Sequence, residues 1–350
     1  MKPVSVVVVG AGSRGAGYAS FAAGNPSLAR VVGVAEPRAT ARQRIVQAHA
    51  IPSSHAFTDW RDLAATPRLA DVAIVATQDH MHVEPTVALA ERGYHILLEK
   101  PMAPDEAGCK TIVEAVRANG VYLGVAHVLR YTPYTKALKA ALEAGVIGAI
   151  VSIQHLEPVG YWHQAHSYVR GNWRSERTSS PMILSKSCHD LDWIKYIMGS
   201  RCVAISSFGN LAHFRPENRP PDASDRCLDC GCEETCPYSA KKIYLTRARD
   251  GHFGWPVDTL TDDLTYTGVE AALRDGPYGR CVYACDNDVV DHQVVNMLFA
   301  GGQTASFTMT GFHAYEARKT RIFGTSGTIE GDGTTISTFD FLTDTSTELR

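Results

Sequence analysis

The sequence has no long apolar run and little excess charge of either sign. Its 34 basic and 37 acidic residues give a net charge of −3, which creates no field that would attract nucleic acid or an anionic membrane. The N-terminal apolar run has the length of a strand and lacks a signal-peptide cleavage pattern. We also find no internal repeat and no low-complexity tract. These absences argue against nucleic-acid and membrane partners and indicate a cytoplasmic protein.

The nine cysteines are an odd number. Without an export signal, such a set favours reduced thiols or a metal site over a disulfide framework. The chain has 350 residues, of which 45% are hydrophobic and 20% are charged. This composition is typical of a globular protein, and the length predicts two domains.

Short apolar runs alternate with helical segments from residue 3 to about 128. This alternation predicts a Rossmann-type domain over residues 1–128, with a doubly wound parallel sheet. The later β-like runs are separated by one strong helix, which predicts an α+β domain over residues 129–350 with a mostly antiparallel sheet. A region rich in Pro, Gly, Asp and Cys, at about 211–289, is too long for an ordinary connection. It is therefore functional, metal-held or partly mobile.

Three glycines follow the first predicted strand, in "VVVVGAGSRGAGY". Gly10, Gly12 and Gly15 have the G-x-G-x-x-G spacing of a dinucleotide-binding turn. In such a turn the first glycine permits a tight bend, the second admits the pyrophosphate, and the third lets helix and strand pack closely. The diphosphate would lie against the helix N-terminus. A plain glycine-rich turn is the alternative interpretation.

Glu36 ends the second predicted strand, about 20 residues beyond Gly15, which is where a dinucleotide site places an acidic residue. Its carboxylate can accept hydrogen bonds from the ribose hydroxyls and repels a 2′-phosphate, so NAD is favoured over NADP. Arg38 and Arg14 would reverse this preference if they turned inward. Ser13, at the start of the helix, completes this part of the predicted cofactor site.

Four motifs, taken in order, resemble the Gfo/Idh/MocA family, which includes glucose-fructose oxidoreductase and inositol dehydrogenase. They are "GAGSRG", "ATQDHMH", "LLEKP" and "KSCHDLDWIKYIMG". The resemblance covers residues 3 to about 330. It implies a Rossmann domain, an open-faced sheet domain, a tightly held nicotinamide cofactor, and oxidation or reduction of a sugar or cyclitol hydroxyl. It also places Thr77, His82 and Glu99 at the cofactor, with His82 as either a packing or a reacting residue.

The same resemblance implies which residues transfer the proton. Lys100 matches the lysine of the family's EKP motif, and alcohol oxidation needs a base within hydrogen-bond reach of the hydroxyl. His189 matches the second catalytic residue, in an H-x-x-D pattern completed by Asp192. Many relatives carry an aspartate four residues earlier, where this chain has Ser185 followed by Lys186. Lys186 would assist deprotonation of the substrate hydroxyl, bind a carboxylated sugar or take over the role of the absent aspartate.

Aromatic and hydrogen-bonding side chains concentrate in "AHVLRYTPY" and "GYWHQAHSYVRGNWR". Aromatic faces beside polar groups suit a pyranose ring. A buried polar hinge or a subunit contact would have the same composition, and we expect a homo-oligomer, either a dimer or a tetramer. The predicted substrate-binding residues are Arg130, Tyr131, His163, His166, Arg170, Trp173 and Asp192.

Six cysteines lie in "CLDCGCEETC" and "CVYAC" within the long irregular region. Their spacing is suited to a tetrathiolate zinc site that would hold this region together. An iron–sulfur cluster and plain reduced thiols are the alternatives. The predicted ligands are Cys227, Cys230, Cys236 and Cys285, with Cys232 or Cys281 as alternates.

The predicted function is an NAD(P)-dependent sugar or cyclitol dehydrogenase. One alternative is a glycosidase or lyase-like enzyme that oxidises a ring carbon transiently with bound NAD and then restores it. Such an enzyme would not accumulate NADH, whereas a dehydrogenase would. A second alternative is a non-catalytic sensor of dinucleotide, which measurable turnover would exclude.

Overall fold

The computed structural model describes residues 2–349. The chain divides into two compact units, the first ending at Ala126 and the second beginning at His127. Among the described residues, no helix is both long enough and apolar enough to cross a membrane.

The N-terminal unit is a parallel α/β unit. Its six strands pair in the order β3-β2-β1-β4-β5-β6, and every pair is parallel. The predicted doubly wound sheet is therefore confirmed. Its elements are β1 (Val4–Val9), α1 (Ser13–Gly24), β2 (Ala29–Ala35), α2 (Ala39–His49), β3 (Ala56–Phe57), α3 (Trp60–Ala65), β4 (Val72–Val75), α4 (Val83–Glu91), β5 (His95–Leu98), α5 (Glu106–Ala118) and β6 (Leu123–Val125).

Continuous apolar strands produce this sheet because helices cover both of its faces. In β1, successive valines contribute to two different cores, Val7 to one and Val8 to the other. The strand order reverses between β1 and β4. A ligand of an open α/β sheet binds outside the carboxyl ends of the strands at such a reversal, which is where Gly10 and Thr77 follow β1 and β4.

The C-terminal unit is built on an eight-stranded sheet in the order β14-β13-β12-β11-β7-β10-β9-β8. Only the β7–β10 pair is parallel, so the predicted mostly antiparallel sheet is confirmed. The elements are α6 (Pro133–Glu143), β7 (Ile150–Pro158), α7 (Tyr161–His163), a π-helix (Gln164–Arg170), α8 (Met182–Ser185), α9 (Cys188–Met198), β8 (Cys202–Asn210), α10 (Thr246–Arg249), α11 (Tyr266–Asp275), β9 (His292–Phe299), β10 (Thr304–Thr310), β11 (Lys319–Gly324), β12 (Gly327–Gly331), β13 (Ile336–Asp340) and β14 (Thr345–Leu349).

One face of this sheet is covered by helices. Leu138 of α6 and Ile194 of α9 belong to the same core as Ile153, Phe307 and Ile322 of the strands. The alternation of buried and exposed residues along β9 and β10 places the remaining side chains on the opposite face. The sheet therefore presents its second face outward.

The region at 211–289 is folded, with a hydrophobic core of its own. Tyr244, Val257, Val269 and Leu273 are fully buried there. The irregular composition had predicted a functional, metal-held or mobile segment. The structure shows that apolar side chains packed around α10 and α11 hold this region together, and the functional interpretation stays a prediction.

Arg170 fastens this region to the π-helix. Its side chain is completely buried, and its guanidinium donates hydrogen bonds to the carbonyl oxygens of Arg280 (2.7 Å) and Tyr238 (2.8 Å). It also lies 3.3 Å from the sulfur of Cys227. A buried carbonyl group without a donor destabilises the folded state by its desolvation free energy. These contacts therefore contribute to the stability of the C-terminal unit.

Replacing Arg170 with Met keeps much of the side-chain volume but leaves the two carbonyls without donors. We expect Arg170→Met to lower the free energy of unfolding by about 2–4 kcal/mol. Arg274→Met, on the exposed side of α11, should change it by less than about 0.5 kcal/mol. Denaturant unfolding followed by tryptophan fluorescence measures both variants. If Arg170→Met has the same free energy of unfolding as the wild type, these hydrogen bonds contribute little to stability.

Candidate active site

The glycine turn after β1 is closed by direct backbone packing. Gly10 has φ +89°, and a Cβ there would lie 2.6 Å from the carbonyl oxygen of Ala76. A Cβ on Gly15 would overlap with the carbonyl oxygen of Gly10. Gly12 is different, because the nearest atom to its Cβ position is the Arg38 guanidinium, 3.7 Å away. The first and third glycines are required by packing, whereas the second leaves open space at its Cα.

That open space lies at the N-terminus of α1. Gly12 is the N-cap residue, and no side chain caps the helix start. The first N–H groups of a helix have no partner within the helix, and together with the helix dipole they attract an anion. Ser13 and Arg14 are exposed in this first turn. The turn therefore fits the diphosphate of a dinucleotide.

Glu36 lies beside the glycine turn and is 3% exposed. Its carboxylate accepts hydrogen bonds from the backbone N–H of Ala11 (2.7 Å), and from the backbone N–H (3.0 Å) and Nε (2.9 Å) of Arg38. Burial raises the pKa of Glu36, but the hydrogen bonds from Arg38 and Ala11 outweigh it and hold the pKa below its ordinary value. The site therefore keeps an ionised carboxylate with an arginine paired to it.

Glu99 connects the end of β5 to α1. It is 5% exposed and accepts hydrogen bonds from Arg14 Nε (2.6 Å), the Tyr18 hydroxyl (2.7 Å) and the backbone N–H of Lys100 (2.9 Å). Burial and the nearby Glu99 raise the pKa of Tyr18 to about 12. Glu99 thus holds Arg14 at the helix start, a supporting role that the sequence pattern did not reveal.

His82 is buried and joins the turns after β4 and β5. One ring nitrogen lies 2.7 Å from the carbonyl oxygen of Pro101 and the other 3.2 Å from that of Thr77. The side chain is 1% exposed, so the structure favours the packing role over the reacting one. Lys100 precedes Pro101 in the same turn, through a cis peptide bond.

In the C-terminal unit, His189 is on the first turn of α9. Its ring lies 6.1 Å from that of His127, edge to face. Asp192, one turn further on, is bound by Arg130, whose Nε lies 2.7 Å from its Oδ2. The hydrogen bond with Asp192 raises the pKa of Arg130. Arg130 and Asp192 therefore satisfy one another, while Tyr131 is 70% exposed.

Lys186 lies at one end of a buried network of charges. Its Nζ is 2.9 Å from Glu157 Oε1, and Arg318 Nη2 is 2.8 Å from Glu157 Oε2. Arg318 also binds Asp190, whose Oδ1 lies 3.1 Å from Nε2 of His155. The side chains of Glu157 and Asp190 are 4% and 0% exposed, so each requires a compensating partner.

The charges in this network compensate one another in pairs. Burial raises the pKa of Asp190, but Arg318 and His155 together hold it below its ordinary value. Burial lowers the pKa of Arg318, while Asp190 and Glu157 raise it above its ordinary value. Lys186 completes the network through its 2.9 Å contact with Glu157. Sequence reasoning missed its partners, although His155 and Glu157 are polar residues on the inward-facing positions of β7 and could have signalled them.

Two predicted substrate contacts are corrected by the structure. His166 is 2% exposed, its Nδ1 lies 2.9 Å from the Tyr244 hydroxyl, and its ring stacks on Tyr278. Burial, together with Arg170 and Arg247, lowers the pKa of His166 to about 3, so the ring is neutral. His166 and Arg170 are both buried in the core of the 211–289 region, where a substrate cannot reach them. His163 is half-buried and Trp173 is 38% exposed, so both retain accessible surface.

The zinc prediction is also corrected. Within residues 2–349, no three Cys, His, Asp or Glu side chains are arranged to hold a metal ion, and none of the nine cysteines there forms a disulfide. Cys227 lies against the Arg170 guanidinium, and Cys285 donates to the carbonyl oxygen of Cys281. Five of the six clustered cysteines line one small cavity, but they do not converge on a common point. They are Cys227, Cys230, Cys232, Cys236 and Cys281.

Comparison with known proteins gives two family matches that together cover most of the chain. Residues 4–127 match a model described as an oxidoreductase family with an NAD-binding Rossmann fold. Residues 139–346 match the C-terminal alpha/beta domain of the same oxidoreductase family.

Individual relatives include enzymes that act on cyclic polyols and sugars. The chain is 29% identical over 217 residues to inositol 2-dehydrogenase of Corynebacterium glutamicum, covering 61% of this chain and 60% of that protein. It is 28% identical over 156 residues to 2,7-anhydro-N-acetylneuraminate hydratase of Escherichia coli, covering 44% of this chain and 41% of that protein. The matched segments span between 36% and 60% of the length of the curated relatives compared.

The fold has a close counterpart among solved structures. Levoglucosan dehydrogenase in complex with NADH and levoglucosan superposes with a TM-score of 0.71 at 19% identity, covering 99% of this chain and 80% of that chain. At this identity the likeness shows the shared fold.

The Glu36 arrangement generates a prediction about cofactor choice. Glu36→Ala removes the carboxylate that is predicted to bind the adenosine ribose, and it releases Arg38 from that carboxylate. We expect the binding of NADH to weaken by about 1–3 kcal/mol. The difference between the affinities for NADH and NADPH should become smaller. Fluorescence titration with both cofactors measures this, with Glu91→Ala on the exposed end of α4 as the control. Equal affinities of Glu36→Ala and wild type for both cofactors would contradict the assignment.

Proposed function

The chain belongs to the Gfo/Idh/MocA oxidoreductase family, and on this basis we propose that it is an NAD(P)-dependent dehydrogenase. NAD is the favoured cofactor. The enzyme oxidises a secondary hydroxyl of a sugar, sugar derivative or cyclitol, or reduces the corresponding ketone in the reverse direction. The observation that carries the proposal is the uncapped start of α1 at Gly12, with ionised Glu36 beside it. The relatives named for inositol and levoglucosan oxidation support the substrate class.

We assign the cofactor to the carboxyl ends of the strands β1 and β4 in the parallel sheet. We expect the diphosphate at Gly12, Ser13 and the helix start, and the adenosine ribose at Glu36. Arg14 is held there by Glu99 and adds positive charge near the diphosphate. When bound, NAD supplies a hydride acceptor for the carbon that carries the hydroxyl.

Oxidation of an alcohol also releases a proton from oxygen, which the protein must accept. We assign this role to Lys100, in the turn after β5, and assign His189 to orient or relay the proton. Lys186 is paired with Glu157 (2.9 Å), which favours a fixed ammonium that donates a hydrogen bond over a base. The substrate contacts that remain in the proposal are Arg130, Tyr131, His163, Trp173 and Asp192, each of which keeps some accessible surface.

A second candidate function has one specific observation in its favour. The relative named as a hydratase fits an enzyme that oxidises a ring carbon transiently, breaks or hydrates a neighbouring bond and then returns the hydride. Net formation of NADH separates the two functions, because only the dehydrogenase releases reduced cofactor.

We further propose a cytoplasmic homo-oligomer. The outward face of the eight-stranded sheet supports assembly, since Phe208 lies opposite Val294 on β9 and is 73% exposed. Val294 and Leu298 on the same face are 38% and 42% exposed. An apolar sheet face of this kind is typical of a protein–protein contact.

Lys100→Met tests the role of the lysine. The side chain keeps a similar length but cannot exchange a proton, so we expect turnover to fall by about 100-fold or more with NADH affinity retained. Wild-type oxidation should rise with pH through one ionisation, because the base must be deprotonated to accept the proton. That step should be lost in Lys100→Met and kept in Lys110→Met, an exposed lysine of α5.

The measurement is a pH–rate profile from NADH absorbance. The substrate is the best one from a panel of sugars, inositols and uronic acids assayed with NAD and NADP. A Lys100→Met enzyme with the wild-type rate and the same profile would remove Lys100 from the mechanism.

A further inference from the structure

Three aromatic side chains from distant parts of the C-terminal unit meet at its surface. Trp162 comes from α7, Trp255 from the 211–289 region, and Tyr315 from the turn between β10 and β11. The Trp162 ring lies 5.0 Å from those of Trp255 and Tyr315, which are 6.1 Å from each other. We call these three residues the aromatic platform.

The aromatic platform is open to solvent. Trp255 is 41% exposed and Tyr315 is 53% exposed, while Trp162 is half-buried between them. Large aromatic side chains contribute most to stability when they are buried. A cluster of three that leaves two rings accessible therefore gives up part of that stabilisation, and such surface patches are typical of binding sites.

The platform is held rigidly before any ligand binds. The backbone N–H of Tyr161 donates to the carbonyl oxygen of His313 (2.9 Å), which fixes the Tyr315 turn to the start of α7. Gly160 has φ +89°, and a Cβ there would lie 2.7 Å from the Cα of Tyr315. Arg247 stacks over the Trp162 ring at 4.8 Å. Rings fixed in this way lose little conformational entropy on binding.

Polar groups border the aromatic platform, as recognition of a sugar requires. The His163 ring lies 4.9 Å from that of Trp255 and 5.7 Å from that of Tyr315. The Arg247 guanidinium lies on the Trp162 side. A pyranose has apolar C–H faces that pack on aromatic rings and hydroxyl groups at its rim that hydrogen-bond to such neighbours.

The platform lies at the same end of the C-terminal sheet as Lys186, which is assigned to the reaction. The His163 ring lies 5.8 Å from that of Tyr168, and Tyr168 is within electrostatic range of Arg318. Arg318 in turn shares Glu157 with Lys186, at 2.8 and 2.9 Å. Tyr168 and Glu157 are buried, but Arg318 follows Tyr315 by three residues and Trp162 follows Glu157 by five. The platform and Lys186 are therefore connected through the adjacent ends of the paired strands β7 and β11.

We propose that the aromatic platform binds a second sugar ring, linked to the ring that is oxidised, so that the substrate is a disaccharide or a larger glycoside. This inference rests on the proposed dehydrogenase function, because the oxidised ring is assigned to Lys100, His189 and Lys186. It adds a subsite that discriminates linked sugars from free monosaccharides.

The test compares linked with single sugars on the full chain saturated with NADH. Calorimetric titration with maltose, cellobiose and lactose, and with glucose and galactose, gives the affinities. We expect at least one disaccharide to bind about tenfold more tightly than its component monosaccharides. Trp255→Ala and Tyr315→Ala should each abolish most of this gain and leave monosaccharide affinity within about twofold.

The control is Tyr266→Ala, which removes another exposed tyrosine of the same unit and should retain the full gain. Tyr315→Ala also serves if Trp255→Ala proves unstable, because the Tyr315 side chain is the more exposed of the two. The proposal is overturned if no disaccharide exceeds its monosaccharides, or if both platform variants bind disaccharides as the wild type does.

Turnover with NAD, measured on the same sugars, keeps the two proposals separate. A disaccharide that binds through the platform but is never oxidised would contradict the dehydrogenase function and leave the subsite standing. A disaccharide oxidised with the same kcat/KM by the wild type and both platform variants would contradict the subsite and leave the dehydrogenase function standing.

Discussion

The absence of a side chain at two positions of the first turn determines the architecture of the N-terminal site. Gly10 packs on the backbone of Ala76, and Gly15 packs on the carbonyl group of Gly10, so the start of α1 lies directly against the ends of β1 and β4. Because the N-cap residue Gly12 offers no side chain to the helix start, that position is open to an anion. Glu36 and Glu99 are then positioned around it, Glu36 bound to the backbone of Ala11 and to Arg38, and Glu99 holding Arg14.

The C-terminal unit has a different constraint, the burial of two carboxylates. Glu157 and Asp190 are almost completely buried, and the cost of burying them is offset only by cations in direct contact. Arg318 binds both, and Lys186 binds Glu157. In this way the pairing of the buried charges holds the side chain of Lys186, three residues before His189 in the sequence. Ser185 stands where the family resemblance predicts an aspartate, and the carboxylate that binds Lys186 comes instead from Glu157 of β7.

Both sheets and the nucleotide turn could be predicted from local patterns, because strand alternation and glycine spacing are written in contiguous residues. Strands such as β12 and β14 are hard to predict in this way, since Gly-rich and Thr-rich segments carry little apolar signal. The buried roles of His166 and Arg170 were missed for another reason. Their partners Tyr244, Tyr238 and Arg280 lie far away in sequence, and a polar stretch gives no sign of whether it faces solvent or a core. The cysteine spacing suggested zinc, but spacing alone does not make the sulfur atoms converge.

The fate of the hydrogen on the reacting carbon distinguishes net oxidation from every alternative. A sugar deuterated at its ring carbons is incubated with NAD and the purified chain, and the nicotinamide is then analysed by NMR and mass spectrometry. A dehydrogenase transfers one deuterium to C4 of the nicotinamide for each ketone formed, with the proton released to solvent. Deuterium that stays in the sugar while product forms, with no reduced cofactor released, would contradict the dehydrogenase function.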